Sequence, residues 1–266
     1  MNRPRKHFGQ HFLHDQNIIE KIIGAIAPEP TDCFVEIGPG QGALTRPLLE
    51  RVEKLDVIEI DHDLARVLAD DITNPRLSVH QADALKFDFR KIAAPPGGLR
   101  LAGNLPYNIS SPLLFYVLTY GQLFRDMHVM LQKEVVARMT AAPGNKTYGR
   151  LTVALAARCR VEALFDIKPG SFRPAPRVNS SFVRLSPDAQ QRARINNEAL
   201  FDQLLRQAFN MRRKRLANAL KGLISETGIK SLGIDPGLRA EQLAVDSFIQ
   251  LGNFFATKVA NETENR

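Results

Sequence analysis

The sequence predicts an α/β protein: a largely parallel sheet covered by helices on both faces, followed by a small all-helical domain. Two patterns carry this prediction. In the first half, short runs rich in β-branched and aromatic residues alternate with amphipathic stretches, the rhythm of strand–helix–strand units. After Ser186 the strand-like runs stop, and apolar residues recur at helical spacing between Gly and Pro breaks. The expected boundary separates residues 1–186 from residues 187–266.

Each element has its own signal. QNIIEKIIGAIA (16–27) carries apolar residues at helical spacing. DCFVEI (32–37) is a short strand ending in the turn GPGQG. ALTRPLLERV reads as a helix with Pro47 in its early turns. KLDVIEID (54–61) is a second strand, HDLARVLADDI a helix, and LSVHQAD a third strand. LRLAGN is the fourth strand; Pro106 offers no N–H to a sheet ladder, so the strand should stop there. SPLLFYVL is a helix and MHVMLQ a fifth strand, with LTVALAARCRV and SSFVRL as further strands. Beyond Ser186, PDAQQRARINNE is a polar linker running into a helix. In ALFDQLLRQAF, Phe201, Leu204, Leu205 and Ala208 form one apolar helix face.

Length and composition restrict the function classes. The chain has 266 residues, 44% of them hydrophobic, enough for a sizeable core. Its net charge of +8 is spread along the chain, which favours a polyanionic partner over a basic tail on a neutral domain. Cys33 and Cys159 form no Cys-x-x-Cys spacing, which argues against a disulfide framework or a zinc site. The start, MNRPRKHFGQHFL, is basic but has no apolar signal core, and no apolar run is long enough to cross a bilayer. A cytoplasmic protein without a membrane partner is expected. His7, His11 and His14 are spaced like metal ligands, but no Cys or acidic cluster accompanies them, so no metal is expected.

Three successive strand ends carry ligand-binding chemistry. Gly38, Gly40 and Gly42 let the backbone turn sharply beside a ligand, and Glu36 before them would repel phosphate but suit a cation. Glu59 ends the second strand, where a carboxylate can accept from both ribose hydroxyls. Asp83 ends the third, where it can accept from an adenine amine. A nucleoside without phosphates but with a positive charge describes S-adenosylmethionine better than NAD or ATP; no Walker-type Lys follows the glycines.

Asn104 closes the fourth strand beside this cleft, in NLPY. The lone pair of an adenine N6 amine is delocalised into the ring, which makes it a poor nucleophile. Two acceptors aimed at its N–H bonds would localise that pair. The Asn104 side-chain oxygen and the Leu105 carbonyl, fixed by Pro106, can be those acceptors. Tyr107 offers a stacking face, and an Asn108 or Ser110 N-cap would start the following helix. In FRPAPRVNSS (172–181), prolines stiffen a loop from which Phe172 could clamp the other face of an extruded base.

VEIGPGQGALT, VIEID, QADAL, GNLPYNISSPLL, LQKEVVARM, YGRLTV and FRPAPRVNSSFVRL, in that order, resemble the small-subunit (16S) ribosomal RNA adenine N6,N6-dimethyltransferases. KHFGQHFL and AFNMRRKRLANAL extend the resemblance over nearly the whole chain. It implies a Rossmann-like S-adenosylmethionine-dependent methyltransferase domain with a small C-terminal helical domain that interacts with rRNA. It also implies dimethylation of two adjacent adenosines in the loop of the 3′-terminal hairpin of 16S rRNA, within the small subunit and as part of its biogenesis. By position, Gly38, Glu59, Asp83 and Asn104 would contact the cofactor, as would His11 and Leu13, although the family pattern has Asn where His11 stands. Asn104, Leu105, Pro106, Tyr107 and Phe172 would form the N6 site. Basic residues of Met211–Arg215, with four consecutive cations around a helix, together with Lys146 and Arg150, would face RNA. A monomer is expected. Two alternatives stand beside this reading: a large-subunit rRNA adenine methyltransferase of the antibiotic-resistance type, and a non-catalytic assembly factor. Retention of Glu59, Asp83 and Asn104 speaks against the latter.

Overall fold

The alternation of strand and helix becomes a seven-stranded sheet in the computed structural model, which describes residues 10–211 and 213–264. Five strands run parallel: β2 (Cys33–Ile37), β3 (Lys54–Glu59), β4 (Leu77–Gln81), β5 (Leu99–Asn104) and β6 (Phe124–Gln132). The sheet order is β4-β3-β2-β5-β6-β9-β7, where β7 is Cys159–Ile167 and β9 is Ser180–Pro187. Strand β9 pairs antiparallel to β6. A separate two-stranded ribbon joins β1 (Phe12–Leu13) to β8 (Phe172–Arg173), with Leu13 opposite Phe172.

Local chemistry explains the helices that cover the sheet. Helix α1 (Gln16–Ile26) starts at the Asp15 side chain, which accepts from the Ile18 N–H, and buries Ile19, Ile22, Ile23 and Ile26. Helix α2 (Thr45–Leu49) is a single short turn, well short of the stretch expected from ALTRPLLERV. Helix α3 (His62–Asp71) is capped by Asp61, whose carboxylate accepts from the N–H groups of Asp63 and Leu64. Helix α4 (Ser110–Leu118) has no side-chain cap; Ser110 Oγ instead bonds back to the Tyr107 carbonyl, contrary to the capping expected of Asn108 or Ser110.

The chain forms two compact units. One comprises Met1–Val136 and Val161–Pro187, the other Ala137–Arg160 and Asp188–Arg266. A single cut after Ser186 therefore omits residues 137–160 from the second unit. The reason is packing. LTVALA, expected to be a strand, is helix α6 (Arg150–Ala156), following α5 (Lys133–Met139). It buries Leu151, Val153 and Leu155 and contacts α8 (Glu198–Asn210) and α11 (Val245–Glu264). Thr152 Oγ1 donates to the Arg138 carbonyl and so ties α6 to the end of α5. Arg158 ties the same unit together, donating to Asp202 at 2.9 Å and Glu198 at 3.3 Å. Helices α7 (Ala189–Ala193), α9 (Leu216–Ala219) and α10 (Glu226–Ser231) complete it.

Two expectations about cations change. Helix α8 ends at Asn210, so Met211, Arg213, Lys214 and Arg215 lie outside the helix; the three cations are exposed, and Arg212 lies outside the described residues. Lys146 is exposed, whereas Arg150 is half-buried at the start of α6. His7 and the rest of KHFG also lie outside the described residues.

Candidate active site

The C-terminal edge of β2, β3 and β5 opens into a cleft, the edge where parallel strands leave their end loops free to hold a ligand. Its walls come from residues 10–13, the glycine turn, Glu59 and Ile60, Asp83 and Leu85, and residues 104–109. Gly38 has φ of +68°, a backbone that a β-carbon would strain, and its N–H donates to the Ile58 carbonyl at 3.0 Å. Gly103 is required for a different reason. A β-carbon there would sit 2.5 Å from the Ile37 carbonyl oxygen, so only glycine lets β5 approach β2 this closely. That approach brings Asn104 beside the glycine turn.

The cleft gathers acids without a matching cation. Glu59 is 5% exposed and accepts from the N–H groups of Gly40 (3.2 Å) and Asp61 (3.0 Å). Burial raises its pKa above the ordinary carboxylate value, and those N–H bonds oppose the rise. Glu36 is 2% exposed and takes a 2.6 Å bond from Thr45 Oγ1. Burial pushes its carboxyl up to about 8; the Thr45 bond works against the shift and the Glu59 charge adds to it. Asp83 accepts from the Leu85 N–H at 2.9 Å, the loop-capping role any strand-end Asp can take, while also facing the cleft. No Lys or Arg lines the cleft among the described residues. Such an acceptor set disfavours phosphate and matches ribose hydroxyls, an exocyclic amine and a positive charge, the groups of S-adenosylmethionine.

The NLPY stretch follows the expected course. Strand β5 ends at Asn104, the Leu105 N–H makes one last ladder bond to Met130 (3.2 Å), and Pro106 ends the pairing. Asn104 Nδ2 donates to the His11 carbonyl at 2.7 Å. A carbonyl can only accept, so this bond fixes which end of the amide faces His11 and leaves Oδ1 as the acceptor end. Tyr107 is half-buried, and its hydroxyl shares a hydrogen bond with Ser180 Oγ. Burial raises the Tyr107 phenol, so it stays neutral at physiological pH.

His11, Leu13, Gly38, Glu59, Asp83, Asn104, Leu105, Pro106 and Tyr107 all line this one cleft. Phe172 does not. Its ring is 3% exposed, packed in the core with Leu13, Ile167 and Phe182, because pairing with β1 turns it inward. The clamp expected of Phe172 is therefore absent from the cleft wall. Other lining residues carried no sequence signal. Ile60 is 42% exposed against the cleft, an apolar shelf beside Glu59. Gln10 reaches Asp61 at 3.3 Å, a contact between residues far apart in sequence.

The mostly parallel sheet, with a glycine turn, a strand-end carboxylate and an Asn-Leu-Pro-Tyr corner on one edge, defines an S-adenosylmethionine-dependent methyltransferase. Comparison with known proteins narrows this class. The family model for ribosomal RNA adenine dimethylase matches residues 1–257, and the chain belongs to that family. Ribosomal RNA small subunit methyltransferase A of Aromatoleum aromaticum is 51% identical over 257 residues, covering 97% of this chain and 96% of that protein. The crystal structure of a dimethyladenosine transferase from Plasmodium falciparum has 29% identity and a TM-score of 0.77, covering 93% of this chain and 98% of that one. The 23S rRNA methyltransferase ErmE has the same fold (TM-score 0.69, 23% identity, covering 92% of this chain and 99% of that one). The protein is an S-adenosylmethionine-dependent rRNA adenine dimethyltransferase, and no helix among the described residues is long and apolar enough to cross a membrane.

Proposed function

We propose that this enzyme dimethylates N6 of two adjacent adenosines in the loop of the 3′-terminal hairpin of 16S rRNA, within the small ribosomal subunit. It acts as a cytoplasmic monomer and contributes to subunit biogenesis. The observation that carries this reading is the 51% identity, over nearly full length, to a protein named for small-subunit rRNA methylation. The bound cofactor supplies an electrophilic methyl group; the residues of this chain do the rest.

Glu59 accepts from the ribose hydroxyls and Asp83 from the adenine amine of the cofactor. Gly38 admits it to close backbone range, and His11 and Leu13 close the methionine end. Asn104 Oδ1 and the Leu105 carbonyl accept from the two N–H bonds of the target N6. They draw the nitrogen towards tetrahedral geometry and stabilise the positive charge that develops there. No strong base is needed, since orientation and fixed dipoles lower the barrier, and the methylated nitrogen, strongly acidic while it is cationic, then gives its proton to water. Tyr107 stacks on the base. After the first transfer only one N–H remains, so one acceptor position must then admit a methyl group.

The test is methylation of purified small subunits against large-subunit RNA, with mass spectrometry of the 16S rRNA 3′ hairpin. Two dimethyladenosines formed by the parent, and none by Asn104→Ala with RNA binding retained, are expected. Label found only in large-subunit RNA would refute the assignment. Near-parental dimethylation by Asn104→Ala would refute the N6 site.

A further inference from the structure

The His11 imidazole stacks on the Tyr107 ring, with centroids 5.4 Å apart and planes 29° from parallel. Its Nδ1 lies 2.7 Å from the Pro174 carbonyl oxygen. A carbonyl accepts only, so Nδ1 carries the proton and the ring plane is fixed by that bond. The other polar end of the pair is fixed as well, since the Tyr107 hydroxyl is bonded to Ser180 Oγ. Tyr107 is thus held at its rim by Ser180 and on one face by His11. The backbone of the same residue has a separate task, because its carbonyl receives the Asn104 amide.

We propose that the His11 side chain is a positioning residue for the adenine site: it covers one face of Tyr107 and presents the opposite face, in a preset plane, to the target base. The proposal rests on the reading of Asn104 and Tyr107 as the adenine site. A base entering a site whose stacking plane is already set does not have to order that ring, and the methyl acceptor arrives closer to its productive orientation. The imidazole is occupied by Pro174 and Tyr107. The His11 carbonyl holds the Asn104 amide, a contact that any side chain at position 11 would retain.

The test uses His11→Ala and His11→Phe in the full-length chain, with Asn104→Ala alongside. Cofactor Kd is measured by calorimetry, and methyl transfer by single turnover on small subunits. His11→Ala should lower the single-turnover rate constant about tenfold, as expected for a loosened reacting geometry, with cofactor Kd within about twofold of the parent. His11→Phe keeps the stacking surface but loses the Nδ1 bond to Pro174 that sets its plane, and should recover only part of the rate. A parental rate in His11→Ala, a loss confined to cofactor Kd, or no recovery in His11→Phe would each overturn the positioning role. If Asn104→Ala itself retains methyl transfer, the underlying adenine-site reading fails instead; a loss in Asn104→Ala with a parental rate in His11→Ala overturns only the role of His11.

Discussion

The two ends of the parallel sheet treat buried acids in opposite ways. At the N-terminal end, the Arg100 side chain is 4% exposed and bonds to Asp32 at 2.6 Å and Asp126 at 2.8 Å. Its remaining donors reach the carbonyls of Ile26 (2.7 Å) and Ala27 (3.3 Å), and Arg125 adds a second cation on Asp32. Burial raises the Asp126 carboxyl, but His128, whose Nδ1 lies 3.5 Å away, and Arg100 more than reverse this and bring it to about 2. At the C-terminal end Glu36 and Glu59 are buried with hydroxyl and amide donors only, and both shift upward. One end is electrostatically complete within the protein. The other has its acceptors placed but its positive charge left to a ligand. A buried carboxylate is structural where the chain supplies the cation, and functional where it does not.

Arg100→Met should have the largest effect, since it removes the buried cation that Asp32 and Asp126 share and leaves them only the exposed Arg125 and His128 at 3.5 Å. A loss of about 3–5 kcal/mol in urea unfolding is expected; a loss under about 1 kcal/mol would remove the contrast. Glu59→Ala should weaken cofactor binding by about 1.5–3 kcal/mol in calorimetry without a comparable loss of folding stability. An unchanged Kd would take Glu59 out of the ribose site.

The third test is pH, and the signs differ between the ends. Asp126 is held below its ordinary value of 3.8, so its contribution to stability is present above that pH and lost as pH falls towards 2. Glu36 is raised from 4.5 to about 8, so the folded state carries an extra proton between those values, and stability is lost as pH rises through that window. Glu36→Gln should therefore gain on the parent as pH rises from 4.5 to about 8, by up to a few kcal/mol. Parallel stability curves for the two proteins would contradict the shift. The smallest effect should be the release of a fraction of a proton near pH 7 when the cationic cofactor binds, read as a dependence of binding enthalpy on buffer ionisation. Buffer-independent enthalpy would mean that Glu36 does not respond to the ligand.

Much of the site was legible because chemistry and position coincide at strand ends. Gly38, Glu59 and Asn104 follow runs whose β-branched residues mark strands, and Pro106 dictates where one of them stops. What was not legible depends on contacts distant in sequence. LTVALA is apolar and partly β-branched, and periodicity alone cannot tell a buried helix of this length from a strand; α8 and α11 decide it. Phe172 sits in a loop with every outward sign of a clamp, yet its pairing with Leu13 turns it into the core. The His11 ring contacts were hidden for the same reason, since Tyr107 and Pro174 are its partners only once the chain has folded.

The division of the chain into interleaved segments bears on the order in which the protein can fold as it is synthesised. Residues 137–160 leave the exit tunnel long before 188–266, so Leu151, Val153 and Leu155 have no partner helix until α8 and α11 follow. The sheet waits as well, because β9, which lies between β6 and β7, comes last of its strands. Neither unit is complete when Val136 has emerged. A nascent chain stalled at Pro187 would hold every strand of the sheet but carry an unpartnered α6, so protease resistance should arise in two steps, the sheet unit first and residues 137–160 only once α8 and α11 have followed.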